Sequence, residues 1–320
     1  MIKKETRERW MEGWRKWRER PDVQRNLRLA QYALLAIIIV LLVYRLSLVG
    51  WREVLDNLPT SIWFYVFFLL RYFALPLSEI PTYELVWDKP LWRYFSAFVR
   101  KRVYNFAVMG YSGEAFFTLW ARRRLGLPDK VILTGVKDNN LLSALVSNLA
   151  TVILIVILAV SGGLKPGLDA LPGSRILFSL AFLSAFSLSI AVIIFRNKLM
   201  DLPKGIMPKL VGIHAGRMVI ILFLHAAMYA AALPGAPLLA WFMFIALQLV
   251  ISRIPFVPNQ DLVFLTAALS LSPLVGAPEA AIAGMLVAEA GLSQILNFSL
   301  FLATANDARQ HRSVSKSDLT

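Results

Sequence analysis

Val103-Tyr-Asn-Phe-Ala-Val-Met-Gly-Tyr-Ser-Gly-Glu-Ala-Phe-Phe-Thr-Leu-Trp-Ala121 is an apolar run whose only charged residue is Glu114. Arg100-Lys101-Arg102 stand before it and Arg122-Arg123-Arg124 behind it. A carboxylate at bilayer depth is expensive and has a partner or a task. If the run crossed fully, two basic clusters would face opposite compartments, against the bias of Lys and Arg toward cytoplasmic loops. A chain that dips in and returns puts both clusters on one side. Such backbone is tolerated at depth where protein or a wet cavity surrounds it, and transporters build substrate sites from it. The reading is therefore a re-entrant helix pair over 103–121. Gly110 and Gly113 suit its turn, with Ser112 or Gly113 as the cap of the second half-helix. The positively polarised end of that half-helix suits an anionic headgroup or Glu114 itself.

Composition agrees with a membrane. The chain has 320 residues, 58% of them hydrophobic, and a mean hydropathy of +0.60. Long apolar runs dominate, which excludes a soluble domain. The short alternating segments of a β-barrel do not occur. The net charge of +14 lies in the N-terminal segment and the loops. There it orients the chain and meets anionic lipid, so no nucleic-acid partner is expected. Without cysteine there is no disulfide or thiolate chemistry, and His214, His225 and His311 are too scattered for a zinc motif. No metal site and no cofactor are expected.

The fold class expected is an all-α polytopic membrane protein with about eight transmembrane helices plus a re-entrant helix pair. Residues 1–27 read as a basic amphipathic helix on the cytoplasmic face, with Trp10, Trp14 and Trp17 at headgroup level. Residues 28–304 form the integral membrane domain and 305–320 a polar cytoplasmic tail. Spans are expected over Leu27–Leu48, Ile62–Leu77, Asn140–Val160, Ile176–Phe195, Val211–Leu233, Leu238–Ile251, the short run Leu262–Leu271, and Glu279–Ala303. Pro76 to Pro90 reads as a proline-broken, charged loop, Arg122–Lys137 as a basic loop, and Ser161–Ser174 as a Gly- and Pro-rich loop. The bias of positive charge then places both termini, 122–137 and 196–209 in the cytoplasm.

A few polar groups lie inside these spans. Arg71 is too deep to snorkel easily and needs a counter-charge, with Glu79 and Glu114 the expected partners, or a phosphate. Arg253-Ile-Pro-Phe-Val-Pro-Asn-Gln-Asp261 cannot continue an apolar helix. The apolar run after it is short for a crossing, which places this polar turn at depth. Pro81-Thr-Tyr-Glu84-Leu-Val and Pro258-Asn-Gln-Asp261-Leu-Val form a faint echo, the mark of an internal pseudo-repeat. Glu289, Ser293 and Asn297 share one face of the last span, with Glu289 ~15 Å into it. Interhelical hydrogen bonding accounts for Ser293 and Asn297 better than for an acid. His214 and Arg217 read as interfacial, near a membrane boundary.

Around Glu114 the chain resembles the transmembrane, flippase-like module of bacterial lysylphosphatidylglycerol synthases and its stand-alone relatives. The elements that carry the resemblance are Asn105, Gly113-Glu114 and Arg122 to Arg124. A second family signature, a proline, a glycine-rich turn and an acid, corresponds to Pro255 to Asp261, with Asn259 and Gln260 in place of the glycines. The resemblance implies a stand-alone member, without the synthase domain, in the inner membrane of a bacterial cell. The resemblance implies movement of polar-headed or polyprenyl-linked lipids between leaflets, not covalent chemistry on them.

The functional expectation is a lipid or lipid-linked-glycan translocator, not an enzyme. Its headgroup would lie between segment 103–121 and segment 253–262. Glu114, Gly113, Asn105, Arg71, Arg253, Asp261 and Glu289 are the candidate binding residues. Arg71 and Arg253 would neutralise a phosphate-bearing, anionic headgroup. Glu114, Asp261 and Glu289 would hold cationic or hydroxyl groups. Membrane lipids are the expected partners, with an envelope-biosynthesis protein as a further one. Two alternatives stand beside this: a non-transporting scaffold of an envelope or glycan-synthesis complex, and a membrane-embedded lipid-phosphate transferase. Glu79, Glu84 and Asp88 are the only acidic cluster for the transferase, and a solvated loop explains them more simply.

Overall fold

The computed structural model describes residues 40, 50–107, 112–170, 173–203, 205–253 and 260–304. Among these every regular element is helical. In order they are α1 (Trp51–Asp56), α2 (Ile62–Trp87), a 3-10 turn (Trp92–Tyr94), α3 (Phe95–Ala107), α4 (Ser112–Arg124), α5 (Asp129–Val160) and α6 (Leu164–Ala170). Then follow α7 (Ser174–Leu199), α8 (Met207–Ala232), α9 (Leu238–Ile251), α10 (Gln260–Leu269), α11 (Ser272–Val275) and α12 (Glu279–Ala303). The helix expected over 1–27, the first span Leu27–Leu48 apart from the helical Val40, and the tail 305–320 lie outside the described residues.

Five helices, α2, α5, α7, α8 and α12, are long and apolar enough to cross a membrane. The protein is a multi-pass helical membrane protein. The last span matches its expected limits, Glu279–Ala303. α9 also matches, but its 14 residues reach only ~21 Å, short of the ~30 Å hydrocarbon core. α10, over the expected run 262–271, has 10 residues and reaches only ~15 Å. α9 and α10 touch one another, so two short helices stand where two crossings were expected. α3 and α4, 13 residues each, are a second short pair in mutual contact. The expected turn between them, at 108–111, lies outside the described residues.

α2 corrects the sequence reading. It runs unbroken for 26 residues through Pro76 and Pro81, where a loop was expected. Proline removes one backbone donor, and a membrane helix tolerates this because neighbouring helices and hydroxyl side chains compensate the loss. Here α8 makes its most extensive contact with α2, while Ser78 Oγ and Thr82 Oγ1 donate to the Leu75 and Glu79 carbonyls and not to those of Tyr72 and Leu77 that the prolines free. The chain turns only at Asp88, which adopts a left-handed φ of 50°. Glu84 Oε1 accepts the backbone N–H of Leu91 at 2.7 Å and fixes the start of the 3-10 turn. α4 runs on to Arg124 and α5 starts at Asp129, so only 125–128 of the expected basic loop 122–137 is not helix, and α6 occupies the middle of the expected 161–174 loop.

α9 lies at the centre. It is apolar all round, and Ala240, Trp241, Met243 to Leu247, Val250 and Ile251 are buried, as expected of a helix enclosed on every side. Phe64 and Phe68 of α2, Leu158 of α5, Met228 of α8 and Ile282 of α12 belong to the same core. A second core of aromatic rings joins α2 to the short pair, with Phe117 4.9 Å from Tyr83 and 4.8 Å from Phe98 between ring centres. α7 has the opposite character. Ile176, Leu180, Leu183, Leu188 and Ile194 are exposed along it, an apolar surface suited to lipid rather than water.

Candidate functional site

Glu114 opens α4 and faces α3. Asn105 Nδ2 donates to its Oε1 at 3.2 Å. The same Asn105 accepts the Gly113 backbone N–H through Oδ1 at 2.7 Å. Asn105 thus caps α4 and orients the acid in one stroke, while Ser112 Oγ donates to the Tyr104 carbonyl at 2.7 Å. Gly113 is required by space. A Cβ there would overlap the Lys101 carbonyl oxygen and press within 2.7 Å of Asn105 Oδ1. The three residues Asn105, Gly113 and Glu114 form one unit.

Lys101 was read as part of a flanking basic cluster. It is instead 1% exposed. Its Nζ donates to Glu79 Oε1 at 2.6 Å and lies 3.6 Å from Glu114 Oε1 and 3.5 Å from Tyr83 Oη. One ammonium therefore bridges two carboxylates from α2 and α4. Glu114 Oε2 is buried with no hydrogen-bond partner among the described residues. The neighbours of Lys101 also turn inward. Arg100 Nη1 donates to the Thr304 carbonyl at the end of α12 at 2.6 Å, and the Arg102 guanidinium lies 4.1 Å from the centre of the Tyr72 ring. The reason is local: α3 begins at Phe95, so these three bases lie mid-helix and not in a loop.

Arg71 does not pair with Glu79 or Glu114, as expected from the sequence. Its guanidinium is hydrogen-bonded to Glu289 of α12. Glu289 also accepts from Tyr229 Oη at 3.0 Å, and His225 lies 3.5 Å from it and 3.3 Å from Arg71. Two turns of α12 further, the expected interhelical bond is present at Asn297: Tyr72 Oη donates to its Oδ1 at 2.6 Å. α2, α8 and α12 are thereby tied together at depth.

A third polar seam escaped the sequence reading. Asn139, Ser143, Ser147 and Thr151 recur every fourth residue along α5, so they form one stripe. His214 Nε2 lies 3.1 Å from Asn139 Oδ1, and Arg217 Nη2 donates to Ser143 Oγ at 2.9 Å. Arg253 Nη2 donates to Ser147 Oγ at 2.7 Å and to Thr151 Oγ1 at 3.1 Å. His214 and Arg217 were expected at the interface. They are buried, 0% and 6% exposed, because α8 starts at Met207 and carries Arg217 ~15 Å along its axis.

Below this seam, Asp138 is fully buried and its Oδ2 accepts the backbone N–H groups of Asp201 at 2.7 Å and Leu202 at 3.0 Å. Lys137 bridges Asp138 and Asp201 at 3.2 and 2.9 Å.

Of the candidate residues, Asn105, Gly113 and Glu114 come together as one unit, and Arg71 and Glu289 as another. Arg253 stands apart on the α5 stripe. Asp261 lies in the first turn of α10, and its side chain is outside the described residues, as are Pro255 to Asn259. The period-four stripe on α5 was legible in principle. The burial of Lys101 was not, because it depends on Glu79 arriving from another helix.

Comparison with known protein families, with curated proteins and with solved structures finds no match.

Proposed function

We propose that this protein is a lipid or lipid-linked-glycan translocator, and that Glu114 holds the polar headgroup. The observation that carries the reading is the state of Glu114. One carboxylate oxygen is fixed by Asn105 and Lys101, and the other is buried with no donor among the described residues. A buried acceptor without a donor is costly, and a headgroup amine or hydroxyl supplies the missing donor. The short pairs α3–α4 and α9–α10 support it, since interrupted helices at depth are how transporters present backbone and polar groups to a substrate. With α5 and α7 as two successive crossings, the basic segments 122–137 and 196–209 fall on one face, in keeping with the positive-charge bias. On this reading acyl or polyprenyl chains stay in the bilayer and no covalent step occurs.

The test is native mass spectrometry of the wild type and Glu114→Gln extracted from native membrane. The reading expects a defined polar-headed lipid on the wild type and its loss from the variant. Identical bulk lipid on both proteins would remove Glu114 as the headgroup site and favour a non-transporting scaffold.

A further inference from the structure

We infer that the seam between α5 and α8 is a second binding site, centred on Arg217, and that it takes a phosphate group. Arg217 is 6% exposed on a helix that crosses the membrane. Among the described residues no carboxylate lies within ion-pair distance of it. Its one hydrogen bond among them runs from Nη2 to the neutral Ser143 hydroxyl at 2.9 Å, and its Nε is buried with no acceptor among the described residues. Glu79 acts on it only through space, being already bonded to Lys101. A hydroxyl does not compensate the burial of a guanidinium. The site is therefore incomplete, and what it lacks is negative charge.

The surroundings fit phosphate. Ser143 and Ser147 are one turn apart on α5, ~6 Å along its axis. Each anchors the Nη2 end of a different arginine, Arg217 from α8 and Arg253 from the end of α9. Two guanidiniums are thus held on adjacent turns, in an orientation fixed by hydroxyls that can donate in their turn. Planar guanidinium groups bind phosphate oxygens in bidentate fashion, and Arg is preferred to Lys where that geometry matters. His214, held on Asn139, extends the seam by one further turn. A lipid headgroup and free phosphate both carry the required chemistry.

The inference rests on the headgroup reading for the source of its phosphate, yet the two fail separately. Lipid movement lost in Glu114→Gln tests that reading, and anion-dependent stability tests this one. Wild type, Arg217→Gln and Ser143→Ala would be purified in neutral detergent, and thermal unfolding followed without addition, with inorganic phosphate, with phosphatidylglycerol, and with diacylglycerol as the phosphate-free control. Without phosphate, Arg217→Gln should be at least as stable as the wild type, because an uncompensated buried charge has gone. Phosphate or phosphatidylglycerol should raise the wild-type melting temperature by several degrees, Ser143→Ala by less, and Arg217→Gln not at all. A rise with inorganic phosphate identifies a free anion as ligand; a rise with phosphatidylglycerol alone identifies a headgroup. The inference is overturned if neither raises the wild type, if the rise persists in Arg217→Gln, or if Arg217→Gln is the less stable protein without phosphate.

Discussion

Lys101 Nζ lies 2.6 Å from Glu79 Oε1, and both side chains are almost wholly buried between α2 and α3. The pair fixes the short α3–α4 element against the long helix, and Glu114 reaches the same ammonium from the other side at 3.6 Å. Removing one member of a buried pair strands the other, at a cost of about 3–5 kcal/mol. Lys101→Met should therefore lower the unfolding free energy by about that amount. In double-mutant cycles the coupling of Lys101 to Glu79 should exceed its coupling to Glu114, following the two distances. Equal couplings would mean that the lysine is shared evenly.

Gly113 sets how closely α4 approaches α3. Gly113→Ala needs room where the Lys101 carbonyl and Asn105 Oδ1 already stand. The expected outcome is a loss of about 1–3 kcal/mol from overpacking, with Glu114 displaced from Asn105. Unchanged stability and unchanged lipid retention in Gly113→Ala would show that the pair can separate freely.

Arg71 and Tyr72 are neighbours on α2, and both bond to α12, one through an ion pair and one through a neutral bond. Tyr72→Phe leaves the buried Asn297 oxygen without this donor and should cost about 1–3 kcal/mol. Arg71→Met leaves Glu289 buried beside His225 and Tyr229 and should cost about 3–5 kcal/mol. Adding Glu289→Leu to Arg71→Met should recover much of the loss, since a well-packed apolar pair often matches a buried ionic one. Denaturant titration of the three proteins decides it, and no recovery in the double variant would make Glu289 indispensable by itself.

Outside the membrane, Asp201 is held below the usual carboxylate range by the hydrogen bond from Lys137 and by the charges of Lys137 and Lys130. Its folded pKa is depressed, so its contribution is present above the unfolded pKa and is lost as pH falls through the folded value. The turn at 200–202 should loosen in acid, below the ordinary carboxylate range, and amide exchange there should speed up. Asp201→Asn should show no such acid step from this group. Asp138→Ala should open the same turn at neutral pH, because two backbone N–H groups lose their acceptor, at about 1.5–3 kcal/mol for each charged bond. A turn equally protected in wild type and Asp138→Ala would contradict this.

How far the sequence reached differs from residue to residue. Long apolar runs have one physical solution in a bilayer, so α7, α8 and α12 were legible within a few residues, whereas the run at 103–121 falls across α3 and α4, which extend beyond it on both sides and take in both basic clusters, with the expected turn outside the described residues. Gly113 and Glu114 were legible from the residues themselves, whereas Asn105 was singled out only by resemblance, and it rather than the expected Ser112 or Gly113 accepts the N–H at the start of α4. Proline misled at 76 and 81, where tertiary contacts with α8 outweigh the local break. The partners of Arg71 and Arg217 were not legible, since each is supplied by a helix distant in sequence, and that of Lys101 was not because Glu79, though near in sequence, reaches it by the packing of α2 on α3. Charge alone does not say which carboxylate arrives.

The most direct measurement of the central claim is leaflet exchange of a fluorescent polar-headed lipid in vesicles reconstituted with the wild type, with Glu114→Gln, or with no protein. A lipid species identified on the purified wild type would serve as the reporter. The account predicts exchange with the wild type and a fall to the protein-free rate with Glu114→Gln, both proteins being folded and equally inserted. Exchange at the protein-free rate with the wild type, or equal exchange by wild type and variant, would contradict it.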